Sequence, residues 1–191
     1  TTIFSHRLAL FLCTAAVLPG LGMSSSKAAP ALQSTWQGTV SSDWSNPLNW
    51  SDGLPNASMF VALIDPSRSN LTQIGSGTAA VADKLYIDQG NQLTVDNGGS
   101  LTVSNFLSIS VSTSATPPSG MMSINAGGRV ETNGLYIGDG RNFGSATVTG
   151  PGATLTVNLS RPDIAQNRFV VGAWGDGVLF VNNGATVNAG G

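Results

Sequence analysis

The stretch LTVDNGGSLTV at residues 93–103 decides how the chain is read. Leu93, Val95, Leu101 and Val103 point to one side while Thr94 and Thr102 point to the other, the two-residue alternation of a half-buried strand. Between the two strands, the Asn97-Gly98 and Gly98-Gly99 steps supply positive φ, which other residues enter at a steric cost. The same pattern returns as SINAGGRVET (residues 123–132), ATVTGPGATLTV (146–157) and LFVNNGATVNAGG (179–191). Alignment places Gly98, Gly127, Gly152 and Gly184 in register, separated by 29, 25 and 32 residues. A second apolar element precedes each unit: LYIDQG from Leu85, FLSIS from Phe106, LYIGDG from Leu135 and FVVGAWGDG from Phe169.

A single such unit buries too little apolar surface to stand alone, and stacking the units aligns like side chains into a continuous core, as in solenoids. The expected fold is all-β: a right-handed parallel β-helix whose insertions loop out of its corners. The competing reading is a β-sandwich, because strand–NGG–strand is also a hairpin signal. The repeats are expected over residues 85–191, truncated at the C-terminal end, after a tryptophan-rich cap and first strands over residues 32–84. The stretch 110–122, SVSTSATPPSGMM, reads as a loop between rungs.

Composition supports this reading. Of 191 residues, 24 are glycine and only 9% are charged, with a net charge of −2. Glu131 is the one glutamate, and Lys27 and Lys84 are the two lysines. Surface helices are normally filled with such side chains, so a helical bundle is disfavoured. A pI near 5.0 and scattered arginines give no electrostatic footprint for nucleic acid.

Residues 1–31 read as a secretory signal peptide. His6 and Arg7 precede the apolar run LALFLCTAAVLPGL (residues 8–21), and small residues follow in SSSKAAPA. Cleavage is expected after Ala28 or after Ala31. Fourteen apolar residues are too few to span a bilayer core of about 30 Å. His6 and Cys13, the chain's sole histidine and cysteine, both leave with this segment. The mature chain then holds no residue for Ser-His-Asp or Cys-His catalysis, and none for a histidine-ligated metal. No enzyme activity, catalytic residue, cofactor or metal is expected.

Residues 34–56, STWQGTVSSDWSNPLNWSDGLPN, hold Trp36, Trp44 and Trp50. They read first as a cap over the exposed edge of the first rung. A second reading makes them a platform for glycan contact, with Asp43, Asn49 and Asp52 available for sugar hydroxyls.

The order W-x-G, DW and NW-S-x-G-x-P, followed by an apolar strand, resembles the start of passenger domains of bacterial autotransporters. The segment FVVGAWGDGVLFVNNGATVNAGG (residues 169–191) is similar to the passenger-associated strand repeat of the same proteins, with Val171, Gly172, Gly175, Gly177, Leu179, Val181, Asn183, Gly184, Val187, Gly190 and Gly191 on the pattern. The resemblance implies export by the general secretory route and then display on the outer membrane or release. It implies a structural stalk or adhesin, with host or surface glycans or proteins as partners. Beside the family pattern the chain stops mid-repeat without the translocator barrel, as expected either of an N-terminal fragment of a longer protein or of a short relative displayed some other way.

Two further patterns bear on chemistry. Gly138-Asp139-Gly140 and Gly175-Asp176-Gly177 set an aspartate at what reads as equivalent turns. Stacked carboxylates there could bind calcium or cleave glycosidic bonds, which makes a carbohydrate-binding or carbohydrate-active β-helix the alternative function. Ordinary turn chemistry explains the same residues. Asn49, Asn56, Asn70 and Asn158 each start an Asn-x-Ser/Thr site that would accept a glycan only after eukaryotic secretion.

Overall fold

The computed structural model describes residues 32–111, 119–159 and 167–190. Residues 31–191 form one compact unit. The strands are β1 (Gln33–Thr35), β2 (Phe60–Leu63), β3 (Thr72–Ile74), β4 (Ala79–Ile87), β5 (Gln92–Val95), β6 (Ser100–Ile109) and β7 (Gly120–Ile124). They continue with β8 (Arg129–Thr132), β9 (Leu135–Ile137), β10 (Gly144–Thr149), β11 (Thr154–Asn158), β12 (Phe169–Val171), β13 (Gly177–Asn182) and β14 (Thr186–Gly190). A single 3-10 turn, Pro47–Asn49, is the only helical piece among the described residues. Residues 1–31, expected as a signal peptide, and residues 112–118 of the expected inter-rung loop lie outside the described residues, while residues 120–122 of that stretch belong to β7.

From β2 to β7 the chain passes alternately between two sheets, and every named strand pair is parallel. One sheet runs β1-β2-β4-β6-β8-β11-β14, with β9 joining β6 to β12; the other runs β3-β5-β7-β10-β13. The hairpin reading of LTVDNGGSLTV is not the one adopted. Its halves, β5 and β6, lie in different sheets, so the Asn-Gly-Gly turn is a corner between faces. The architecture is all-β, parallel and solenoid-like.

Register explains why. Six columns of inward side chains run across the rungs. Val61, Leu85, Leu107, Leu135 and Phe169 form one, and Leu63, Ile87, Ile109, Ile137 and Val171 a second. Ala80, Leu101, Val130, Leu155 and Val187 form a third, beside Ala82, Val103, Thr132, Val157 and Ala189. In the other sheet Thr72, Leu93, Met122, Ala146 and Leu179 align, beside Ile74, Val95, Ile124, Val148 and Val181. Each fully buried aliphatic side chain contributes about 1.5–3 kcal/mol, so the columns supply the main drive for folding. Thr132 is the polar member of its column, and its hydroxyl donates to the Gly134 carbonyl at 2.8 Å. The stacking reaches back through β2, so residue 85, where repeats become legible in the sequence, falls inside β4.

The corners rest on glycine. Gly98, Gly127, Gly152, Gly172 and Gly184 have φ of 74°, 75°, 74°, 77° and 79°. Gly77, at 79°, belongs to the same stack: its N–H donates to the Gly98 carbonyl, and the Gly98 N–H to that of Gly127.

At the β1 end, three tryptophans close the core. Trp36, Trp44 and Trp50 are 0%, 1% and 4% exposed. Trp50 meets Trp36 edge-on at 5.0 Å between centroids and Trp44 at 4.6 Å. Two of the indole N–H groups have backbone partners: the Trp36 indole donates to the Asn70 carbonyl at 2.9 Å, and that of Trp50 to the Trp44 carbonyl at 2.8 Å. The W-x-G spacing has a local cause. Gly38 has φ of 56°, and a Cβ there would lie 2.5 Å from the Asn70 carbonyl oxygen and 2.7 Å from Trp36 Nε1.

Two predictions follow from this packing. Ile124→Ala, in the middle of a column, should cost about 2–4 kcal/mol, while Val181→Ala in the same column, 46% exposed, should cost under about 1 kcal/mol. Equal losses in denaturant melts would contradict the column account. Gly38→Ala should cost about 2–4 kcal/mol by combining left-handed strain with a backbone clash, read as a lower urea midpoint at unchanged slope.

Candidate functional site: an outward aromatic ladder and its corner

The register shift between Ala82 and Lys84 in β4 divides the larger sheet into two runs with different outer faces. The first run is clothed in small polar residues such as Thr102, Thr154 and Thr156. The second carries aromatic rings. Phe60, Lys84 and Phe106 share one outward column, and Ala62, Tyr86, Ser108, Tyr136 and Val170 share the next. Large and small residues alternate, so the rings zigzag across the two columns. Phe60 meets Tyr86 at 4.7 Å, Tyr86 meets Phe106 at 5.7 Å, and Phe106 meets Tyr136 at 6.3 Å between centroids. The Lys84 ammonium lies 5.8 Å from the Phe106 centroid, within reach of a cation–π attraction.

Asp139 joins this ladder to the adjoining corner. The buried Ser108 hydroxyl donates to Asp139 Oδ2 at 3.0 Å. Burial raises the Tyr86 phenol above its ordinary range, and the Asp139 charge adds to the rise. Burial likewise raises Tyr136, where Arg168 acts in the opposite direction and Asp139 in the same one. Beyond Asp139, residues Gly140, Arg141 and Trp174 line a cleft of about 370 Å³. Trp174 is 83% exposed.

The residues singled out in the sequence fall elsewhere. Trp36, Trp44 and Trp50 have their ring faces covered by core and by one another, so they offer no stacking platform for a glycan. Asn49 is fully buried; its Oδ1 accepts from the Val40 and Ser41 N–H groups, and its amide donates to Ser41 Oγ and the Asp43 carbonyl. It holds the loop ahead of Trp44 in shape and is closed to glycosylation. Asn70 and Asn158 also commit their amides, to the Gly38 carbonyl and to Glu131. Asn56 is exposed, and its side-chain oxygen accepts from Ser58. Asp43 and Asp52 take local serine donors.

The two Gly-Asp-Gly turns share a corner without sharing a register. Leu135–Ile137 pairs with Phe169–Val171, which aligns Gly138 with Gly172, while Gly144 pairs with Gly177. Asp139 therefore opens its corner and Asp176 closes the next one. The extra tightness comes from Trp174 and Gly175, whose N–H groups both donate to the Gly138 carbonyl. Among the described residues, no group of three His, Cys, Asp or Glu side chains is placed to hold a metal.

Residues 35–125 are similar to a family described as a domain of unknown function (DUF8693). That span holds the tryptophan plug and the first rungs, through β7. No curated protein and no solved structure matches the chain.

Tyr86 and Tyr136 are the chain's two tyrosines, so tyrosinate absorbance reads the ladder alone. With both phenols raised by folding, the unfolded chain ionises first. Stability is therefore unaffected below the ordinary tyrosine value of about 10 and falls as pH climbs from there through the folded values. In a spectrophotometric titration both tyrosines should ionise at higher pH in the native protein than in urea; a native curve overlying the urea curve would contradict this.

Proposed function

We propose that the chain is the stalk of an exported, surface-displayed or secreted protein, a right-handed parallel β-helix that acts mechanically and adhesively without catalysis of its own. The observation that carries the reading is the unbroken parallel register of six inward columns. Such stacking makes a stiff rod whose length grows with rung number and whose outer faces and corners are free for contact. The right hand follows from the strong bias of parallel crossovers in one sheet, about 98% of which are right-handed. Closure of one end by Trp36, Trp44 and Trp50 fits a rod that must not recruit stray strands at its first rung.

Export is supported by the basic start, apolar run and small-residue region of residues 1–31. The likeness to autotransporter passengers supports display at the outer membrane, with surface glycans or proteins as the partners of an adhesin. The test is expression of the chain with its leader in a bacterial host, followed by fractionation and N-terminal sequencing. The protein should leave the cytoplasm and begin at Ala29 or Leu32. An uncut cytoplasmic product would overturn the export reading. A folded product with an antiparallel infrared amide signature would overturn the β-helix.

A further inference from the structure

We propose that the corner formed by Asp139, Gly140, Arg141 and Trp174 is a saccharide subsite that takes one neutral pyranose ring stacked on Trp174. The proposal deepens the adhesive reading above by naming its ligand class and its contact residues.

Four observations converge on it. The first is Trp174 itself: the other three tryptophans are buried, whereas this ring is 83% exposed. An indole presents a large apolar face and one N–H, a pairing suited to a ligand with one apolar and one polar aspect. Secondly, the ring is mounted on a fixed backbone. The Trp174 and Gly175 N–H groups donate to the Gly138 carbonyl at 3.3 and 3.1 Å. Gly175 packs so closely on the preceding rung that a Cβ there would collide with the Gly140 and Asn142 carbonyl oxygens. A contact residue held this way loses little freedom on binding.

Thirdly, the polar groups beside the ring are uncommitted. Arg141 is exposed and has no hydrogen-bond or ion-pair partner among the described residues. Asp139 is half-buried and oriented by the Ser108 hydroxyl, which donates to its Oδ2. A guanidinium donates and a carboxylate accepts, so the pair matches adjacent hydroxyls, each of which does both. Finally, the cleft of about 370 Å³ is of ligand-site size, and its one carboxylate and one guanidinium cancel in charge. A neutral ring with an apolar C–H face and a hydroxyl rim is the complement of that lining.

The probes are neutral hexasaccharides of glucose and of mannose, with a hexauronate as the charged comparison. Because Trp174 is the one water-facing tryptophan, acrylamide quenching of the intact chain reports on it directly. A neutral hexasaccharide should protect this tryptophan from the quencher and give a saturable heat in calorimetry. Trp174→Ala should weaken binding roughly tenfold or more, and Arg141→Ala by a similar factor, with Trp174→Phe retaining part of the affinity. Both positions are at the surface, so thermal melting should be unchanged in all three variants, and a shifted melt would mark the residue as structural and overturn its role here. The proposal is also overturned if no neutral probe protects the ring, if Trp174→Ala binds as well as the parent, or if only the hexauronate binds and salt abolishes it. Protection that rises with protein concentration in the absence of sugar would assign the corner to self-association instead. Export and sugar binding are measured separately, so failure of one leaves the other standing.

Discussion

Everything in this molecule depends on one constraint: each rung must lie parallel and in register over the one before it. The inward columns are consequences of that rule, since an apolar side chain is buried only if its neighbours above and below are buried too. Ile124 is covered because Val95 and Val148 flank it. A slip of one residue would send the whole set outward, because strand side chains alternate in direction. The chain can therefore vary its length only where register is not at stake, at the corners, and there it must still return to the same starting point. Left-handed glycines at Gly98, Gly127 and Gly152 achieve this return at little steric cost.

The same rule acts on the outside of the rod. Outward residues on neighbouring rungs are brought into contact whether or not they are apolar, so polar side chains pair along the stack. Asp96 accepts from Gln73 on one neighbouring rung and from Asn125 on the other, and Asn158 donates to Glu131. The aromatic zigzag from Phe60 to Tyr136 is the apolar version of this arrangement. It needs Ala62 and Ser108 as the small partners that let large rings interleave. With long charged side chains nearly absent from the chain, such ladders are how its surface is satisfied.

How much of this was legible depended on the periodicity available. The strands, the corner glycines and the stacking logic could be read from LTVDNGGSLTV and its three relatives, because alternation and positive-φ turns are local signals. The tryptophan plug was also readable as a cap. What escaped was the register of the unequal corner. LYIGDG and FVVGAWGDG look equivalent when their Gly-Asp-Gly triplets are aligned, yet backbone pairing aligns Gly138 with Gly172 instead. Counted between the paired strands, the corner after β12, residues 172–176, is one residue shorter than the corner after β9, residues 138–143, and a sequence motif cannot show where that register falls. The aromatic ladder was hidden for a related reason. Its members sit one each on β2, β4, β6 and β9, some 20 to 30 residues apart, and only the register brings them together.

This division of labour sorts the residues by how freely they can change. Inward positions are fixed by their neighbours, and outward positions on the strands are tied into ladders across rungs. A substitution in either set disturbs at least two other rungs. A corner is different, because some of its side chains, Trp174 and Arg141 among them, project away from the stack. Binding chemistry can change there without unsettling the core. The corner after β12 uses that freedom fully: Gly175 is pressed against the preceding rung, and the residue before it is thrown outward beside Asp139 and Arg141. Tightness at Gly175 and exposure at Trp174 are neighbouring features of one shortened corner. That coupling between a rigid mount and an open aromatic face is what the three buried tryptophans at the other end lack.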